Sequence, residues 1–163
     1  MPGKASSDGT PPKAIFEIKT AEHFLKIFME NCEDFKNDPE STRHAINAII
    51  TGYHLHEWVW GDKIKTNFLL MKKLRLKNKK IGGFIDWIIG ECPEFEMART
   101  IPNGSKHFDL SESGKQEGAF SRDFSTEFDV SYLYVCDEKG TRVTADELIK
   151  NLVKFWERVF KEF

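Results

Sequence analysis

From residue 20 onward, apolar residues recur at helical spacing over most of the chain. Phe24, Leu25, Ile27, Phe28 and Phe35 form a stripe that predicts a first helix. Thr20 stands where an N-cap belongs, Glu22 lies in the first turn, and Asn37-Asp38-Pro39 marks the stop. Pro39 and Ser41 open a second helix, whose Ala45, Ile46, Ile49, Ile50 and Tyr53 repeat near the helical period. It runs on through Trp58 and Trp60 and stops near Gly61-Asp62. Being long and mostly apolar, it reads as the central helix of a bundle. Residues 62–80 read as a basic helix with the stripe Ile64, Phe68, Leu69, Met71. Gly82-Gly83 separates it from a short, strongly apolar helix. Pro93 suits the first turn of another helix, which heads toward His107. Pro102 must either kink that helix or end it after Arg99.

The ends of the chain differ in character. Residues 1–13, rich in Pro, Gly and Ser, read as a flexible arm, and 14–18 as a short strand or extended lead-in. Residues 109–122 are polar with two glycines and read as a loop. Phe124, Thr126, Phe128, Val130, Tyr132 and Tyr134 then alternate with polar residues, which is the period of a strand. Asp137 to Gly140 makes a turn, and 141–143 returns as a second strand. Thr144-x-x-Glu147 is a capping box for the last helix, with Leu148, Leu152, Phe155, Trp156, Val159 and Phe160 on its apolar face. The expectation is one mostly α domain over 14–163: a four- to five-helix bundle with a small β-hairpin at about 124–143, before the C-terminal helix.

Composition narrows the classes. The length, 163 residues, suits one domain, and 14 Phe with 4 Trp exclude a disordered chain. The net charge of −2 points to no polyanionic partner by itself, but its distribution does. Residues 63–80 hold eight of the 24 lysines and arginines and none of the 26 acids, leaving 16 cations against 26 acids elsewhere. Lys72, Lys73, Arg75, Lys77, Lys79 and Lys80, with Lys106 further on, are therefore a candidate phosphate-backbone surface for RNA. The plainer alternative is a solvated helix face. Cys32, Cys92 and Cys136 are odd in number and lack CxxC spacing, which argues against a disulfide framework or zinc knuckle and fits a reducing cytoplasm. No apolar run approaches the ~20 residues of a membrane span, and the N-terminus has no apolar signal core, so no membrane partner is expected. No glycine-rich phosphate loop, nucleophile elbow or HExxH motif occurs, and no cofactor or metal is expected.

The candidate chemistry lies in Ala98 to His107. On a continuous helix Arg99, Asn103 and His107 are spaced by four and share one slowly drifting stripe. Guanidinium stabilises phosphorane-like charge, imidazole moves protons near neutral pH, and an amide orients either partner. Attack of a 2′-hydroxyl on its own phosphodiester needs only these groups. The alternative is structural: Asn103-Gly104 makes a turn and His107 caps the helix end.

An Arg…Asn…Lys-His stretch closing a long helix of a helical domain resembles the prokaryotic HEPN superfamily. That resemblance implies a compact helical bundle, metal-independent ribonuclease activity in defence or toxin–antitoxin systems, and a homodimer with two motifs facing across a cleft. It implies Arg99 as phosphate-binding arginine, His107 as catalytic histidine and Asn103 as polar companion. Seven residues separate Arg99 from His107, where the family has four to six. Either Asn103 takes the arginine's place or the site is degenerate. The Asn103-x-x-Lys106-His107 segment, with Phe155-Trp156 in the last helix, is also similar to small bacterial helical proteins that bring no known activity with them.

Other features are weaker. His54 and Glu57 share a face and could support Arg99 or His107, but no third histidine is spaced to complete a metal site. Cys92 and Ser105 have no histidine at a helical offset for nucleophilic catalysis. Trp58, Trp60, Trp87 and Trp156 stand at apolar helical positions and read as core; since Trp58 and Trp60 point to different sides of one helix, a homodimer interface through 53–60 is a second use. The rival to an enzyme is thus a non-enzymatic interaction module, an adaptor or immunity protein, docking a toxin or antitoxin through 53–60 or the hairpin.

Overall fold

The computed structural model describes residues 16–107, 113–116, 132–136 and 139–163. The N-terminal arm, the alternating stretch 124–131 and the turn residues 137–138 lie outside them. Among the described residues the fold is mostly helical, with six α-helices and a small antiparallel sheet before the last one. The helices are α1 (Ala21–Asn37), α2 (Thr42–Val59), α3 (Phe68–Lys73), α4 (Ile81–Glu91), α5 (Glu94–His107) and α6 (Ala145–Glu162). The strands are β1 (Ser113–Gln116), β2 (Tyr132–Cys136) and β3 (Arg142–Thr144), in the order β1-β2-β3.

Three helices begin where the sequence places a cap. The hydroxyls of Thr20, Ser41 and Thr144 accept from the backbone N–H three residues on, His23, His44 and Glu147, at 3.3, 3.3 and 3.1 Å. α2 is central and packs against α1, α5 and α6. Its Gly52 marks a close approach to α1 and α6. A Cβ there would stand 2.7 Å from Phe28 Cε2 and 3.1 Å from Leu152 Cδ1. The absent side chain also leaves the Gly52 carbonyl open to the buried Trp156 indole, which donates to it at 2.8 Å. Around this seam the core gathers Phe28, Ile49, Leu55, Phe84, Ile88, Phe95, Leu148 and Leu152.

Trp58 of α2, half-buried, and Trp60 just after it, buried, both pack within the chain. Trp58 stacks on Phe24 of α1 (5.1 Å between ring centroids), and Trp60 on Phe84 of α4 (6.1 Å). Being central, α2 has neighbours on two sides.

The predicted basic helix over 62–80 is not one helix. After α2 the chain makes a π-helical turn, Trp60–Ile64, closed by Lys65 N–H to the Trp60 carbonyl at 2.8 Å. This wider turn aims Asp62 at the start of α1, where it accepts from Ala21 N–H at 2.9 Å, while Lys63 pairs with Glu22. Asn67 then caps a new helix through its side-chain oxygen and Leu70 N–H (3.0 Å). The restart shifts the helical phase. Leu70, Met71 and Leu74 become the buried positions, and Phe68 and Leu69, expected inside, are exposed. Gly82 and Gly83 do not separate helices; they lie in the first turn of α4.

The sheet brings one more correction. β1 lies in the stretch expected to be a loop, and pairs Ser113–Gln116 with Val135–Tyr132. In β2 the buried residues are Leu133 and Val135. Tyr134, half-buried, carries Arg142 over its ring at 4.4 Å. Near the hairpin both faces of the strand are apolar, and the aliphatic one goes inside because a tyrosine tolerates water at its hydroxyl end.

Candidate functional site

α5 runs unbroken through Pro102, which neither ends nor divides it. A proline has no N–H to give the Ala98 carbonyl and costs an isolated helix about 3 kcal/mol. Here Phe95, Met97, Ala98 and Pro102 are buried on α5, and that packing holds the helix continuous. Arg99, Asn103 and His107 therefore occupy successive turns of one helix. Arg99 and His107 stand about 12 Å apart along the axis, and each is about 6 Å from Asn103. The side chains of Asn103, Lys106 and His107 lie outside those described.

Arg99 is exposed and pairs with Glu96 one turn back at 3.2 Å. So exposed a pair contributes at most about 1 kcal/mol, and a phosphate can displace it. Across the seam, α2 presents Tyr53, His54 and Glu57. The Tyr53 ring stacks on Phe95 at 5.1 Å, and His54 lies 3.6 Å from the Glu57 carboxylate. Burial pushes the Tyr53 phenol above its ordinary pKa; the Arg99 cation opposes this, and Glu57 and Glu96 reinforce it. Arg99 thus sits within electrostatic reach of the Tyr53 phenol, besides its Glu96 partner. His56 faces inward, 3 % exposed, and its Nδ1–H donates to the Tyr53 carbonyl at 2.6 Å. Burial holds its imidazole below the usual range, against that bond and the Glu57 charge. It is a core histidine.

The basic segment forms a separate surface, built by α3 and the 74–80 loop. Lys72, Lys73, Arg75, Lys77, Lys79 and Lys80 are all exposed. Among the described residues no carboxylate pairs with any of them. Lys73 reaches the Glu162 carbonyl at 3.5 Å. α3 ends in a Schellman motif: Arg75 N–H bonds the Lys72 carbonyl (3.0 Å) and Leu76 N–H the Met71 carbonyl (3.2 Å). Arg75 occupies the left-handed position, φ 53°, that glycine usually fills. Phe68, 62 % exposed, and Leu69, 83 % exposed, stand at the start of α3. The Lys79 ammonium lies over the Phe68 ring, 5.0 Å from its centroid. Sequence reading missed this apolar tip, although Asn67, a cap residue before the apolar run, signals the change of phase.

Other sites are less promising. A groove of about 490 Å³ runs beside α5, lined by Glu94, Glu96, Met97 and Thr100 and by Lys139, Thr141 and Val143 near β3, without Arg99. Burial pushes the Cys32 thiol up to about 12 and the Cys92 thiol up to about 11, far from thiolate chemistry. Among the described residues no three His, Cys, Asp or Glu side chains gather as metal ligands, and no helix is long and apolar enough to cross a membrane. Comparison with protein families, with curated proteins and with solved structures finds no match for this chain.

Proposed function

We propose that the protein binds RNA on the basic surface of α3 and the 74–80 loop, and cleaves it without a metal ion at the α5 stripe, as a HEPN-like ribonuclease of a prokaryotic defence or toxin–antitoxin system. The observation that carries this reading is the surface itself: six exposed cations between Lys72 and Lys80 without an acidic partner among the described residues, in a chain of net charge −2. Arg75 strengthens it, since a guanidinium is kept at a backbone position where glycine is the cheaper residue. A polyphosphate chain is the ligand that such a surface attracts most strongly.

In the proposed reaction His107 accepts the proton of a ribose 2′-hydroxyl, and the freed oxygen attacks the adjacent phosphorus. The P–O5′ bond breaks, an imidazolium returns a proton to the leaving oxygen, and a 2′,3′-cyclic phosphate and a 5′-hydroxyl result. Arg99 leaves Glu96 to hold the non-bridging oxygens, and Asn103 orients the phosphate or the imidazole. The axial spacing favours a homodimer: two α5 helices antiparallel about Asn103 set Arg99 of one protomer opposite the partner's His107. The test is cleavage of labelled RNA in excess EDTA by the wild type and by His107→Ala. Cyclic-phosphate products that vanish in the variant support the reading. Equal cleavage by both, or none by either, overturns it.

The exposed Phe68 and Leu69 favour one other reading, a non-enzymatic module that docks a toxin or antitoxin through this tip. A stable protein complex lost on Phe68→Ser/Leu69→Ser, with no RNA bound, would establish it.

A further inference from the structure

We infer that Phe68 and Lys79 form a subsite for one unpaired RNA base and its phosphate. This rests on the RNA-binding reading above and adds what the surface selects. Two features place the ring and the ammonium together. α3 is fixed from beneath by Leu70, Met71 and Leu74, so that Phe68 stands outward. The 74–80 loop is pinned on α4: a Cβ at Gly83 would stand 2.7 Å from the Asn78 carbonyl oxygen, and the Asn78 side-chain oxygen accepts from Lys80 N–H at 2.9 Å. Lys79, between these anchors, lies over one face of the Phe68 ring.

An exposed aromatic ring beside cations is the arrangement on which single strands stack, because every base has a π-face and every nucleotide a phosphate. A base inside a duplex has both faces covered by its neighbours and offers none. Leu69, more exposed still, extends the apolar footing. An anionic lipid surface fits less well. Sinking Phe68 among acyl chains would drag the Lys79 ammonium out of water, whereas a stacked base leaves that ammonium solvated beside its phosphate.

The experiment is fluorescence anisotropy of the full chain with a labelled single-stranded RNA and with the same sequence as a duplex, at one low salt concentration. The wild type should bind the single strand roughly tenfold more tightly. Phe68→Ala should lose that preference and keep its duplex affinity, and Phe68→Trp should restore it. Equal binding of both RNAs, unchanged in Phe68→Ala, overturns the subsite and leaves RNA binding standing. No binding of either RNA overturns both. Binding to phosphatidylserine vesicles in place of RNA, lost in Phe68→Ala, overturns the subsite in favour of a lipid surface. Phe68 is exposed, and an unchanged Tm for Phe68→Ala separates lost contact from lost fold.

Discussion

Arg75→Gly should move stability and RNA affinity in opposite directions. Arg75 sits at φ 53°, the left-handed position of the turn that ends α3. A residue with a Cβ is strained there by about 1–2 kcal/mol. Glycine is not, but its freer unfolded chain returns about 0.5–1 kcal/mol of the gain. The side chain is exposed and forms no ion pair among the described residues, so little packing is lost. The net expectation is about 0.5–1 kcal/mol of added stability, which for a chain of this size raises Tm by about 1–4 °C. The same change removes one cation from the proposed RNA surface. Each phosphate contact to a single strand contributes about −0.7 to the slope of log K against log salt, so the slope should become shallower by about that amount. Thermal unfolding and anisotropy titrations at several salt concentrations measure the two effects. A less stable variant would refute the strain argument. Higher stability with an unchanged salt slope would refute a role for Arg75 in binding.

Gly52→Ala should destabilise by about 1–2 kcal/mol in urea unfolding, because crowding the fully buried Phe28 and Leu152 outweighs the better helix propensity of alanine; a variant as stable as the wild type contradicts this seam. Asp62→Ala should cost about 1 kcal/mol by stripping the start of α1 of its acceptor for Ala21 N–H, and no loss would mean that the π-helical turn does not serve α1. His56 has a folded pKa below its unfolded value of 6.5, so the unfolded chain takes up the proton first. Stability should fall as pH drops through about 6.5 toward the folded pKa. His56→Gln should flatten that part of the profile, and an unaltered profile between about pH 7.5 and pH 5.5 would assign the slope elsewhere.

What the sequence shows directly is local. Thr20, Ser41 and Thr144 are recognisable as caps because the group each one bonds lies three residues away. The π-helical turn is not recognisable, because its Asp62 answers to Ala21, 41 residues earlier. The phase of α3 is hidden for a related reason: a single stripe drawn through 64–71 ignores the restart at Asn67, and that restart turns Phe68 and Leu69 outward. β1 has four polar or small residues and no apolar alternation, so only its partner β2 makes it a strand. In the candidate site, the spacing of Arg99, Asn103 and His107 can be read from the chain, and so can the Glu96–Arg99 offset. The nearness of Tyr53 to Arg99 cannot, since the packing of α2 on α5 creates it. The basic surface was legible as composition, but its geometry was not, because Arg75 and Gly83 act through backbone conformation and close approach.

The most direct measurement is the salt dependence of RNA binding by the wild type and by a variant carrying Lys72→Glu, Lys77→Glu and Lys80→Glu. All three side chains are exposed and without a carboxylate partner among the described residues, so the fold should survive. If α3 and its loop engage about five phosphates, log K should fall linearly with log salt with a slope of about −3 to −4. The variant should bind at least tenfold more weakly at low salt with a shallower slope. No RNA binding by the wild type at low salt, or the same affinity and slope in both proteins, would contradict an RNA surface at this position.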